Sequence, residues 1–342
     1  MLALPWAAPL LVQALVLAGI LAGGGWAWSG LALILGVIPL LDHGIGEHPE
    51  DPPQPETAWH RLWLRFTVPL QGVMMIVAVR AATDPSLALS TQLGAVLSCG
   101  VACGGFGIVA AHELFHRHSK WDRALGECLM ASVQYAPYVV EHVYGHHLAV
   151  GTPTDAVSAP RGRGLWAQLP HSIDGTLRNA WRLERTRAQR RTGSGFFAGD
   201  RRLRWVLWPM LTFGLTGALA GFSGMAALAT IAIVAVLLLE TVNYIEHYGL
   251  RRAQLANGDW EPQGAQHSWD SEHRLTRWLL FGLPRHAAHH LRASKPYPEL
   301  EHRVESPKMP TGYAGMVLLA LVPPLWRKVM NERIPNAREL RA

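Results

Sequence analysis

A helix must keep about 20 consecutive residues apolar to cross a hydrocarbon core about 30 Å thick. This 342-residue chain does so, or nearly so, six times, at 6–23, 26–41, 62–82, 86–110, 203–221 and 224–245. The second run is short and draws on its flanks. Of the 14 tryptophans, several stand near the ends of these runs (Trp26, Trp28, Trp63, Trp205, Trp208), where amphipathic rings favour the membrane–water interface. The pattern predicts an all-α fold, a single integral membrane domain over 1–342 built on a bundle of six transmembrane helices. The first run has no basic segment before it and a second follows after a few glycines, so the pair reads as an uncleaved hairpin, not a signal peptide.

Charge then orients the bundle. With six spans, 79–85 and the turns near 24 and 222 share one side and hold one basic residue, Arg80. The segment 111–202 on the other side holds thirteen Lys and Arg. The positive-inside rule places 42–61, 111–202, 246–342 and both termini in the cytoplasm of a bacterial-type inner membrane. The net charge of +6 is therefore a topology signal, with no nucleic-acid partner implied.

The connector EHPEDPPQPE at 47–56 reads as stiff and acidic, and 158–202 as a basic, solvated surface. Two apolar stretches, 125–141 and 313–326, are too short to span and stop at prolines, so they read as interfacial helices. The three cysteines, Cys99, Cys103 and Cys128, read as reduced packing thiols. They are too few for a four-thiolate electron-transfer domain, so reducing equivalents must come from another chain.

Nine of the 17 histidines fall into four clusters, all on the side just assigned to the cytoplasm. His112 and His116 flank HELFH at the end of the fourth run. The sequence EHVYGHH supplies His142, His146 and His147. His247 stands alone in NYIEHYGL, where the sixth run exits, and RHAAHH supplies His286, His289 and His290. Histidines at i and i+4 share a helical face about 6 Å apart along the axis, which brings both imidazoles within reach of one ion. His43, His48, His171 and His302 carry no such spacing and read as surface residues, as does His118, which points off the face of His112.

HExxH alone is a zinc-protease signature with Glu113 as the base. A catalytic zinc takes three protein ligands, which would leave six clustered histidines unused. Nine imidazoles suffice for two ions, but imidazole suits Fe, Cu, Zn and Ni alike, so spacing does not choose the metal. A histidine-rich metal transporter would carry its histidines within the spans, where they are almost absent.

HELFH, EHVYGHH and LPRHAAHH resemble the three histidine boxes of the membrane-bound desaturase and hydroxylase superfamily. Within it, NYIEHYGL at 243–250 is similar to the signature of the integral-membrane alkane 1-monooxygenases, with further likeness at LLDHGIGEHPEDPP (40–53), TPTDAVSA (152–159), HSWDS (267–271) and PPLWRKVM (323–330). The resemblance implies a di-iron centre held by the nine clustered histidines, with no haem or flavin. It implies insertion of one atom of O2 into the terminal C–H bond of a medium-chain alkane, giving a primary alcohol. Electrons would come from a separate rubredoxin and its reductase, and the substrate from the lipid. A hydroxylase of methyl groups on aromatics or terpenoids, or a desaturase, is the neighbouring reading. Departures from the family pattern are Phe115 where Gly is usual, Arg117-His118 where Lys is usual, Asp270 for Asn, and Pro160 for Arg.

Metal-bound imidazoles usually donate their second nitrogen to an acceptor. Glu113, Glu141, Asp155, Glu246 and Asp270 are close enough in sequence to serve. Glu240 is expected mid-membrane on one helical face with Asn243 and His247, and such a residue rarely faces lipid. Trp26, Trp28 and Phe115 are the candidates for the substrate tunnel. The basic stretch 178–204 and Arg251-Arg252 suit either an acidic electron carrier or lipid headgroups.

Overall fold

The computed structural model describes residues 3–335 apart from 194 and 196–198. The chain ends assigned above to the cytoplasm therefore lie outside the described residues. Helix accounts for nearly all regular structure, and among the described residues the only β-pairing is three isolated bridges.

Five helices are long and apolar enough to cross a membrane: α1 (Pro5–Ala22), α2 (Gly24–Ile45), α3 (Ala58–Thr83), α4 (Leu89–Phe115) and, further on, α8 (Arg201–His247). The fifth and sixth apolar runs are the two legs of α8, separate helices that meet at a break at Gly221 (φ +62°), a conformation that costs glycine little.

Helix α4 is the axis of the bundle. Its most apolar stretch is 83% buried, against 22–39% for the other four. Small residues make that possible. A Cβ on Gly100 would meet Val234 at 2.7 Å, and one on Gly104 would meet the Ala235 carbonyl at 2.9 Å, so the second leg of α8 lies directly against α4.

The histidine-bearing end is capped by shorter pieces. Helix α5 (Lys120–Ser132) starts at Ser119, whose hydroxyl accepts the Asp122 N–H, and packs on the end of α4. The α6 segment covers 137–149. Helix α7 (Leu165–Thr192) corrects the reading of 158–202 as plain solvated surface. Leu165, Leu169, Ser172, Thr176, Ala180, Glu184 and Ala188 recur at helical spacing and are buried, while its arginines face outward. Short helices α9 (Arg274–Leu279), α10 (His286–Leu291), α11 (Tyr313–Ala320) and α12 (Pro323–Met330) complete the cap. The last two are the 313–326 stretch, too short to span and interrupted before Pro323.

Candidate metal centre

The four histidine clusters meet. Donor nitrogens of His112, His116, His142, His147 and His289 all lie within 4.8 Å of one another, and those of His146, His247, His286 and His290 form a second such group. The groups adjoin, with the His147 and His290 rings 4.5 Å apart.

Local backbone explains the division. His112 and His116 share a face at i, i+4, as do His286 and His290, with His289 turned to the other group. In α6 that rule fails. Residues His142–His146 form a π-turn, in which the His147 N–H reaches back five residues to the His142 carbonyl. The extra residue brings His142 and His147 onto one face and sends His146 to the other group. Insertions of this kind recur at functional sites.

Within each group the Nε2 atoms converge. His142 Nε2 lies 3.0 Å from those of His112 and His147, and His147 Nε2 lies 3.2 Å from that of His289. In the second group His286 Nε2 stands 3.1 Å from that of His247 and 3.0 Å from that of His290. Several of these nitrogens carry lone pairs of necessity, because the other ring nitrogen holds the proton. His247 Nδ1 donates to the His267 carbonyl (3.3 Å). His142 Nδ1 meets the Tyr138 hydroxyl (3.0 Å), which itself donates to Asn243 Oδ1 (3.2 Å). His146 Nδ1 meets Asp155 Oδ2 (3.0 Å). The buried Nε2 atoms of His116 and His146 have no hydrogen-bond partner.

These donors fit metal ions. Two imidazoles at right angles on an ion with bonds of about 2.1 Å stand about 3.0 Å apart, the spacing observed, and one cation per group satisfies every lone pair at once. Burial, and then the neighbouring imidazoles, hold His116, His142, His147, His286, His289 and His290 well below the usual histidine range, so they stay neutral in the form that ligates. For His146 burial acts downward too, but the Asp155 carboxylate outweighs it and raises the group.

The expected outer partners divide. Asp155 lies against a clustered imidazole, accepting His146 Nδ1–H at 3.0 Å. Its carboxylate also accepts Ser158 Oγ–H (2.6 Å) and the Ser158 and Val157 N–H groups, which fix the loop around it. Glu113 does not. It pairs with Arg117 (2.9 Å) and accepts the Tyr297 N–H, away from the imidazoles. Asp270 accepts the Ala287 N–H (2.7 Å), so it steadies the start of α10 and not a ring. Glu141 packs against Gly145 with Asn179 beside it. Glu246 faces the ligating side of His286, 3.4 Å from Nε2, and is bonded to the Tyr313 hydroxyl.

Glu240 bonds to the Tyr135 hydroxyl (2.7 Å) and Asn243 Nδ2 (3.4 Å), with Ser172 of α7 beside it. Tyr135 and Ser172 lie outside the spans, so Glu240 sits toward the capped end of the bundle, not at mid-membrane. Arg251 and Arg252 are occupied as well. They bond to the carbonyls of Thr152, Ser158, Glu261 and Leu148, bracing the loop that carries Asp155.

An apolar cavity lies between α2, α4, the second leg of α8 and α11, lined by Ile34, Ile38, Gly105, Phe106 and Val317 among others. A narrower space shares Gly104, Val109 and Val242 with it and ends on His112, His142 and His286. Phe115 packs edge-on against His112 and His142 beside this space without lining it. Trp26 and Trp28 are remote. They sit in the first turns of α2, at its opposite end from the histidine cap, and Trp26 is 72% exposed. Tyr138 is the residue sequence reading missed, although its place four residues before His142 was a usable signal.

The family model described as "Fatty acid desaturase" matches residues 90–319, which include all nine histidines. The chain is 41% identical over 321 residues to alkane 1-monooxygenase 1 of Pseudomonas aeruginosa, covering 90% of this chain and 83% of that one. It is 37% identical over 316 residues to alkane 1-monooxygenase 2 of Alcanivorax borkumensis, covering 90% and 83%. Likeness to the hydroxylase component of the xylene/toluene monooxygenase of Pseudomonas putida is lower, 27% over 320 residues, covering 92% and 84%.

Proposed function

Because this chain belongs to the membrane-bound desaturase and hydroxylase superfamily and, within it, to the alkane 1-monooxygenases, we propose that it hydroxylates the terminal carbon of medium-chain alkanes at a di-iron centre. The observation that carries this reading is the convergence of nine imidazoles on two adjoining points at the end of an apolar cavity.

His112, His116, His142, His147 and His289 would hold one ion, and His146, His247, His286 and His290 the other. When bound, the iron pair supplies the redox chemistry that splits O2, one oxygen atom going to the alkane and the other to water. The chain's own residues do the rest. Asp155, Tyr138 and the His267 carbonyl hold three imidazoles in the tautomer that ligates. The cavity between α2, α4, α8 and α11 admits the alkane from the lipid and keeps water from its reacting end. Transfer of a chain from lipid to an apolar cavity changes its free energy little, so cavity length and side-chain plugs select chain length.

The histidine-bearing end faces the cytoplasm of the inner membrane, in keeping with the basic residues of 111–202. A separate rubredoxin with its reductase delivers electrons there.

The test supplies rubredoxin, its reductase and NADH to the protein in membranes and assays alcohols from hexane through hexadecane, with xylene alongside. Primary alcohols from the alkanes support the reading. Benzylic alcohol alone would transfer the activity to aromatic methyl groups, and no alcohol from any substrate would overturn it.

A further inference from the structure

The network behind His142 contains more than a positioning contact requires. The Tyr138 ring lies nearly parallel to His142, centroids 5.1 Å apart at 27°. Tyr135 stacks in turn on Tyr138, centroids 5.7 Å apart at 22°. Both rings are buried. The two phenols differ in what receives their hydrogen bond. Tyr138 donates to an amide oxygen, on Asn243, which is no base. Tyr135 donates at 2.7 Å to a carboxylate, Glu240, which also accepts from the Asn243 amide and has the Ser172 hydroxyl beside it. A buried carboxylate held by neutral donors is a costly arrangement that two apolar residues would avoid.

A phenol in a low-dielectric interior gives up an electron readily only if its proton leaves in the same event, because the radical cation would otherwise be buried with its charge. Tyr135 has an acceptor placed for that proton and Tyr138 does not. At rest, burial and the adjacent Glu240 hold the Tyr135 phenol well above its ordinary range, so the proton stays on oxygen.

We infer that Tyr135 is a proton-coupled electron outlet for the metal centre, wired through the stacked Tyr138 ring to His142 and discharging its proton onto Glu240. The inference rests on the O2-activating reading above. When the loaded centre has reacted with O2 and no substrate fills the cavity, the oxygen-derived oxidant takes one electron from Tyr135. The Tyr135 O–H bond breaks, its proton passes to Glu240 Oε1, and the products are a neutral tyrosyl radical, a protonated Glu240 and a centre reduced by one electron. An oxidant able to attack a terminal C–H bond is thereby directed to a defined residue and kept off its own ligands. Positioning His142 needs only Tyr138 and Asn243.

The experiment uses the full-length iron-loaded protein in detergent, chemically reduced, mixed with O2 without alkane and freeze-quenched for electron paramagnetic resonance. A tyrosyl signal that narrows on ring deuteration of tyrosine is expected, and it should be lost in Tyr135→Phe with iron content and O2 uptake retained. Glu240→Gln, which keeps both rings, should lose it too. If that variant fails to hold iron, Tyr135→Phe decides alone. Survival of the signal in Tyr135→Phe, or O2 uptake by the unaltered protein without any tyrosyl signal, overturns the outlet and leaves the proposed function standing. Absence of O2 uptake by the unaltered protein overturns the proposed function and the outlet with it.

Discussion

Asp155 offers the sharpest test of how the second imidazole group is held. It accepts four hydrogen bonds: His146 Nδ1–H at 3.0 Å, Ser158 Oγ–H at 2.6 Å, and backbone N–H groups of Ser158 at 3.2 Å and Val157 at 3.1 Å. Asp155→Ala removes all four and frees His146 to turn its ring or change tautomer. Asp155→Asn keeps an acceptor oxygen but loses the charge. Removing the outer partner of a metal-bound histidine weakens metal binding about 10–100-fold, or about 1.4–2.7 kcal/mol. That loss should fall on the ion held by His146, His247, His286 and His290, with Ala worse than Asn. The other ion should be nearly unaffected, because none of its ligands touches Asp155. Metal retained per chain against rising chelator concentration reads both ions as separate steps. Two unshifted steps, or two steps shifted equally, would refute the assignment of Asp155 to one group.

Other substitutions test other parts of the account. The π-turn partition expects His112→Ala with His147→Ala to empty only the five-histidine group and retain one ion per chain, whereas adding His146→Ala to that pair retains none; metal counting decides. A Cβ on Gly105 has only Leu238 near, at 3.8 Å, so Gly105→Leu should extend into the larger cavity and remove activity on the longest alkanes while sparing the shortest, read from alcohols formed in a mixed-substrate assay. At Gly104 the Ala235 carbonyl is at 2.9 Å, so Gly104→Leu should instead destabilise the bundle and lower its apparent Tm. Burial, then the Asp155 charge, push Glu141 up to about 8 from 4.5. This raised folded-state value means that the Glu141 contribution to the stability of the metal-free protein is lost as pH climbs from about 4.5 to 8 and no further above that, against the opposite contribution of the depressed histidines below about 6.5. Glu141→Gln should flatten this slope and, at pH 7, stabilise by up to about 3 kcal/mol, read from apparent Tm across that pH range.

The apolar runs and the nine histidines were legible because both follow local rules: span length for the first, helical periodicity for the second. What local rules could not reach was the partition of ligands. His142 and His146 look like an i, i+4 pair, and only the π-turn, a backbone choice made in tertiary context, separates them. Sequence proximity likewise misassigned Glu113, which lies on a helix where a carboxylate beside a histidine points to another face, and Asp270, which lies on an isolated bridge outside any helix. Glu113 found Arg117, and Asp270 found the start of α10. The tunnel candidates Trp26 and Trp28 failed for a different reason. Their rings mark an interface, and it is the one away from the metals. Tyr135 and Glu240 are 105 residues apart, and nothing short of the folded bundle joins them.

The central claim is that this chain holds two metal ions and that both are iron. Protein isolated from membranes of iron-supplied cells should carry two iron atoms per chain, falling to one when His247→Ala empties the four-histidine group. A single zinc per chain in the unaltered protein, or two irons retained by His247→Ala, would contradict it.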